Sequence, residues 1–308
     1  MKSFICSTAI GLSLFGAGMA QASCEKVRMA EPGWTDLALT TGVAQVVMQG
    51  LRYEVETNVL GASVIYESMV NDDLDVFLGY WDPAMATYFA PFIEGKKIDT
   101  IHQNLEGAKY TFAVPKYAFD AGVRDFADLA AHADKFDSTF YGIEPGSNTQ
   151  MTGIIETNDF GLGDWQLVES SEQGMLAQVR RAVTRGEWIV FLGWAPHPMN
   201  VEFEIEYLTG GDAYFGPDFG AATVHTQTRI GFVEECPNIG DFLKQLDFTV
   251  ELESEGMGHI INDGEDPDDA AIRLLKAHPD ALTAWLDGIE TLDGQPGLPA
   301  VRAYIGIE

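Results

Sequence analysis

KVRMAEPGWTDLALTTGVAQVVMQGL, residues 26–51, reads as one β-turn-α unit. Residues 26–30 have the composition of a short strand. Pro32-Gly33 breaks it, and 36–51 reads as a helix with Val43, Val46, Val47 and Leu51 on one face and Asp36 near its N-terminus. The same alternation runs outward along the chain. Strands are predicted at 53–59, 74–78, 110–114, 139–143, 165–169 and 188–192, with helices at 62–71, 123–133, from Asn148 through 155, and 175–185. This order argues for an α/β fold with largely parallel sheets. Residues 210–219, rich in Gly, Asp and Tyr, look like a crossing segment. Beyond it a strand is predicted at 224–233, then helices at 238–249, 269–277 and 281–288.

The chain has 308 residues, enough for two domains of about 140 residues or one large one. It is 46% hydrophobic, which supplies a real core. It carries 18 basic and 47 acidic side chains, a net charge of −29. Phosphate binding needs a basic face, so nucleic acid is excluded as a partner. Acidity favours solubility and draws cations toward any cleft. Lys2, the apolar run 4–20 and Ala20-Gln21-Ala22 match a secretory signal peptide over 1–22, cleaved after about Ala22. A periplasmic location is therefore expected. Of three cysteines, Cys6 lies in that leader, leaving Cys24 and Cys236 as an even pair. A disulfide between them is expected in an oxidising compartment, and two separate buried thiols are the alternative.

Readable catalytic chemistry is missing. No G-x-S-x-G, H-E-x-x-H or P-loop occurs, and the six histidines show no ligand spacing. The acid run 262–269 lacks the spacing of a calcium loop. No metal and no cofactor are expected, and the chain is not read as an enzyme. What remains is a set of tryptophans beside turn-making residues: Gly33-Trp34-Thr35-Asp36, Gly79-Tyr80-Trp81-Asp82-Pro83 and Gly193-Trp194-Ala195-Pro196. Each follows a strand-like run and lands where the chain turns, which is where ligand contacts of α/β proteins collect. Aromatic faces with carboxylates alongside suit an organic cation. Trp165, Trp188 and Trp285 sit in ordinary apolar contexts and read as packing.

Those motifs, with Glu31-Pro32, Lys109-Tyr110, Gly146-Ser147-Asn148 and His197, resemble the periplasmic substrate-binding proteins of glycine betaine/choline ABC transporters, and among them the choline-binding proteins. The resemblance spans the chain beyond the leader. It implies a two-lobed Venus-flytrap fold of type II-like form, each lobe a mixed sheet flanked by helices. Lobe I would comprise 24–108 plus 217–308 and lobe II 109–216, with hinge segments near 106–110 and 210–220. It further implies a cage of Trp34, Trp81, Tyr110 and Trp194, with Asp36 and Asn148 as the polar groups. A disulfide like Cys24–Cys236 occurs in the choline-binding members. Tyr80 and Tyr117 are alternatives to Tyr110, and Asp36 and Asn148 could each serve only as helix caps.

The resemblance also implies a monomer that binds choline and docks on an ABC permease. The ammonium head is common to choline and glycine betaine, so the tail decides between them. A carboxylate tail seeks backbone N–H groups, Arg or protonated His. A hydroxyl can donate to Asp36, which would repel a carboxylate. Choline is therefore expected over glycine betaine, with carnitine and acetylcholine as further alternatives. A secreted choline-ester hydrolase is the competing class, and it would need a nucleophile or metal that no motif supplies.

Overall fold

The computed structural model describes residues 24–307, so the expected leader over 1–22 lies outside the described residues. The strands are β1 (Lys26–Glu31), β2 (Glu54–Val59), β3 (Val76–Asp82), β4 (Ile98–Pro115), β5 (Thr139–Tyr141), β6 (Gln166–Val168), β7 (Val190–Ala195), β8 (Ile205–Tyr207) and β9 (Ala221–Arg229). The longer helices are α1 (Thr35–Gly50), α2 (Ala62–Val70), α3 (Ala86–Ile93), α4 (Thr149–Thr157), α5 (Glu172–Arg185), α6 (Pro237–Gln245), α7 (Val250–Ile261), α8 (Pro267–Ala277), α9 (Pro279–Trp285) and α10 (Gly297–Ile305).

All nine strands join through hydrogen bonds in the order β2-β1-β3-β9-β4-β7-β5-β6, with β8 on β4. The fold is α/β as expected, and the sheet is mixed, as the family resemblance implies, rather than largely parallel, as the strand–helix alternation alone suggests. β1 pairs in parallel with β2 and β3, and β5 with β6 and β7. β4 and β9 run antiparallel to their neighbours. The reason is topological: these two strands carry the chain from one half of the sheet to the other and back. The first part of β4 pairs with β9, whereas Lys109–Ala113 pairs with β7. Between them the β4–β9 register shifts three times, and Gly107 sits at φ 82°.

α1 is buried on almost every side and packs against α7, α8 and α10. That explains its apolar composition all round, since a helix covered on all faces needs no polar stripe. The other half of the sheet has an aromatic core. Phe112 stacks between Phe126 and Phe140 at centroid distances of 4.7 and 4.8 Å, and Trp165 lies 4.7 Å from Phe140. Trp285 is buried against Phe248 and donates to the Asp247 carbonyl. Cys24 and Cys236 form a disulfide that ties the start of β1 to the start of α6 across 212 residues. Constraining so long a loop stabilises the fold by about 5 kcal/mol in the chain-entropy account.

Several boundaries move. The strand read at 74–78 is β3, ending at Asp82, and the one read at 188–192 is β7, ending at Ala195. Trp81 and Trp194 therefore ride on strand ends rather than in the loops beyond. Proline drives the residues before it into extended backbone, which carries each strand toward Pro83 or Pro196. The strand read at 224–233 stops at Arg229, because Gly231 turns the chain at φ 79°. The helix read at 123–133 is a four-residue helix, Phe126–Leu129, followed by a 3-10 turn.

Candidate functional site

Gly33 (φ 87°) makes the turn between β1 and α1, a conformation that favours glycine. Its N–H donates to Glu31 Oε2 at 2.5 Å, fixing the approach of Trp34 to the start of α1. The Trp34 indole N–H donates to Glu144 Oε1 at 2.7 Å, on the loop after β5. Trp81 arrives on β3 and Trp194 on β7, each one residue ahead of a dipeptide with a cis peptide bond, Asp82-Pro83 and Ala195-Pro196. Tyr110 on β4 lies directly opposite Trp194 in the β4–β7 ladder, so both rings project from the same face. The Tyr110 hydroxyl donates to the Ser147 carbonyl at 3.1 Å, and its ring lies 6.4 Å from that of Trp81.

Gly220 (φ 67°) allows the chain entering β9 to press against Tyr110. A Cβ there would fall 2.0 Å from the Tyr110 carbonyl oxygen. Trp34, Asp36, Trp81, Tyr110 and Trp194 all line one cavity. Met85, Phe89, Ile143, Ser147 and Gln150 complete much of its wall. Tyr80 is turned away toward His225, and Tyr117 is exposed on another surface, so neither replaces Tyr110.

Asp36 is the carboxylate among the lining residues, and they include no Lys, Arg or His. It is 2% exposed and sits in the first turn of α1. Trp34 occupies the N-cap position and makes no side-chain cap. Burial first, then the nearby Glu172 carboxylate, pushes the Asp36 pKa up to about 7. The N–H groups at the helix start and the Trp81 indole pull the other way. The indole Nε1 still completes no hydrogen bond, and neither does Asp36 Oδ1. One oxygen of a desolvated acid and an N–H donor are thus left unmet in residues of the cavity wall, an arrangement that suits a cationic, hydroxyl-bearing guest.

Asn148 does not line this cavity. Its Oδ1 accepts from Ile143 N at 2.9 Å, and its Nδ2 donates to the carbonyls of Ile143 and Glu144 and to Glu169 Oε1. The amide is spent on bracing the loop that carries Ser147. It makes no side-chain cap on α4, although it stands at that helix's N-cap position.

The cavity is bounded by contacts between chain segments far apart in sequence. Besides Trp34–Glu144, Gln150 Nε2 donates to the Ala84 carbonyl at 2.7 Å. Thr35 N donates to Glu172 Oε2 at 2.9 Å, and the Thr35 hydroxyl donates to the same carboxylate. Sequence reasoning missed Met85, Phe89, Glu144 and Glu172. Met85 and Phe89, four apart beyond Trp81, carried a usable helical signal. Glu172 follows Ser170-Ser171 and looks only like an acid at a helix start.

Residues 25–277 match the family described as the substrate binding domain of ABC-type glycine betaine transport systems. An ABC-transporter choline binding protein, solved in complex with choline, is 48% identical with a TM-score of 0.91, covering 92% of this chain and 99% of its own. A lactococcal protein in its closed form with glycine betaine is 28% identical with a TM-score of 0.76, covering 84% of this chain and 98% of its own. The glycine betaine/carnitine transport binding protein GbuC of Listeria monocytogenes is 32% identical over 163 residues, which is 52% of this chain and 53% of that one.

Proposed function

Because the chain belongs to the family of substrate-binding domains of ABC-type glycine betaine transport systems, we propose that it captures choline and delivers it to the permease of an ABC importer. The family's role is transport rather than catalysis. The trimethylammonium group would sit among Trp34, Trp81, Tyr110 and Trp194, gaining roughly 0.5–2 kcal/mol per desolvated ring. The choline hydroxyl would donate to Asp36. Asn148 would act indirectly, by holding the Ser147 loop in place.

Lobe I (24–108 plus 217–308) and lobe II (109–216) would close on the ligand, bending near 106–110 and 210–220. The passage of β4 from β9 to β7 at Lys109 supports that division. The leader over 1–22 would be removed after about Ala22 and the protein would work, as a monomer, in the periplasm.

One observation carries the choice of ligand: four rings surround a cavity whose charged lining residue is an acid, with no basic side chain in the lining. A glycine betaine carboxylate would meet Asp36 without a counter-charge. Carnitine carries the same carboxylate, and acetylcholine gives up the donating hydroxyl. A ligand panel read by thermal shift tests this, since a ligand at about 100 times its Kd stabilises the protein by about 2.7 kcal/mol. Choline is expected to give the largest shift. A larger shift with glycine betaine overturns the assignment.

A further inference from the structure

Glu172, the first residue of α5, belongs to lobe II, yet its carboxylate caps the N-terminus of α1 in lobe I. It is buried and accepts from both the backbone N–H and the hydroxyl of Thr35. His197 is its third neighbour, with Nε2 at 3.2 Å. His197 Nδ1 accepts from Met199 N at 2.9 Å, so the ring carries its proton on Nε2 and donates to Glu172. No Lys or Arg pairs with Glu172 among the described residues. Other acids are close by instead. Glu172 holds Thr35, the residue before Asp36; after burial, its charge adds to the raised pKa values of Asp36 and Glu31, and the charge of Asp36 adds to that of the buried Glu253 of α7.

Closing the lobes therefore brings a buried carboxylate from each side together with no protein cation between them. Like charges in a desolvated site repel, and the repulsion ends when a positive charge arrives beside Asp36. We propose that Glu172 is the positioning residue that makes closure conditional on a cation: its hydrogen bonds to Thr35 hold the closed cleft, and its charge opposes closure until a quaternary ammonium ligand sits in the cage. The ligand does not touch Glu172. The residue selects for charge by what it does to the closed state. This rests on the choline-binding, two-lobed reading above.

The test compares choline with its neutral carbon isostere, in which tert-butyl replaces trimethylammonium. Affinities for both are measured by calorimetry on wild type, Glu172→Gln and Thr35→Val, and closure is followed by small-angle scattering. Wild type should close on choline and prefer it strongly. In Glu172→Gln the preference for choline over the isostere should shrink by about tenfold, the scale of one unit charge acting across about 10 Å of protein interior. The pH midpoint of choline binding should fall in the same variant. In Thr35→Val, which keeps both carboxylates, the two ligands should weaken together with their ratio unchanged. An unchanged ratio and midpoint in Glu172→Gln overturn the proposal and leave Glu172 a structural cap. A Thr35→Val variant that shifts the ratio also overturns it. If wild type does not bind choline at all, the functional reading fails and this proposal fails with it.

Discussion

Replacing Asp36 by Asn removes the carboxylate from the cavity wall while keeping its shape. The size of the effect follows from its surroundings. The side chain is almost wholly buried, so its charge is poorly screened. A cation at ~5 Å in a medium of effective dielectric about 20 gains roughly 3 kcal/mol from it. Part of that gain is offset near neutrality, because Asp36 titrates at about 7 in the ligand-free protein and must lose its proton to pair with the cation. The sign is then fixed. The ligand-free protein holds the proton more tightly than the loaded one, so choline affinity is full above about pH 7. It falls as pH drops below that value, by at most about tenfold per pH unit. For Asp36→Asn we expect choline to weaken by about 10- to 100-fold at about pH 8 and to lose its pH dependence below 7. Glycine betaine should weaken less or gain, so the two ligands converge. Calorimetry in buffers of different ionisation enthalpy checks this, because wild type should release protons on binding choline and the variant should not. Equal choline affinity in both proteins, or an undiminished gap over glycine betaine, would refute the reasoning and reduce Asp36 to a residue of the helix start.

Other outcomes follow from the same surroundings. Asp36 and Glu253 both have raised pKa values from burial, so their contribution to folding is complete below the ordinary carboxylate range and is lost as pH rises through the folded values. The ligand-free protein should therefore unfold at a higher temperature at about pH 5 than at about pH 7, and Asp36→Asn should lessen the difference. Gly220→Ala should force the chain away from Tyr110, destabilising the fold by about 2 kcal/mol or more in urea titration. It should also weaken choline binding, because the Gly220 backbone presses on the carbonyl of Tyr110, whose ring belongs to the proposed cage.

That Trp34, Trp81 and Trp194 come together at one cavity was legible because tryptophan beside Gly33, Pro83 or Pro196 is an unusual context for packing. The same prolines explain the boundary errors, since they extend the strands that carry Trp81 and Trp194. Helices α3, α7 and α10 escaped the sequence reading. Pro91 interrupts the first pattern, and Gly256 and Gly258 weaken the second. β4 was recognised only from Tyr110 onward, because its earlier half alternates with exposed polar residues and carries the irregular pairing to β9. Sheet direction depended on which distant strands meet, and a local pattern does not encode that. The same limit hid Glu172, whose partner Thr35 lies 137 residues away. Asn148 had the right neighbourhood for a ligand group, but its amide is consumed by four bonds within its own loop and Glu169.

The most direct measurement is calorimetric titration of the protein without its leader, using choline and glycine betaine in parallel at about pH 8. The proposed cage of Trp34, Trp81, Tyr110 and Trp194 with Asp36 predicts choline binding tighter by at least about tenfold, or 1.4 kcal/mol. Glycine betaine binding as tightly as choline, or more tightly, would contradict it.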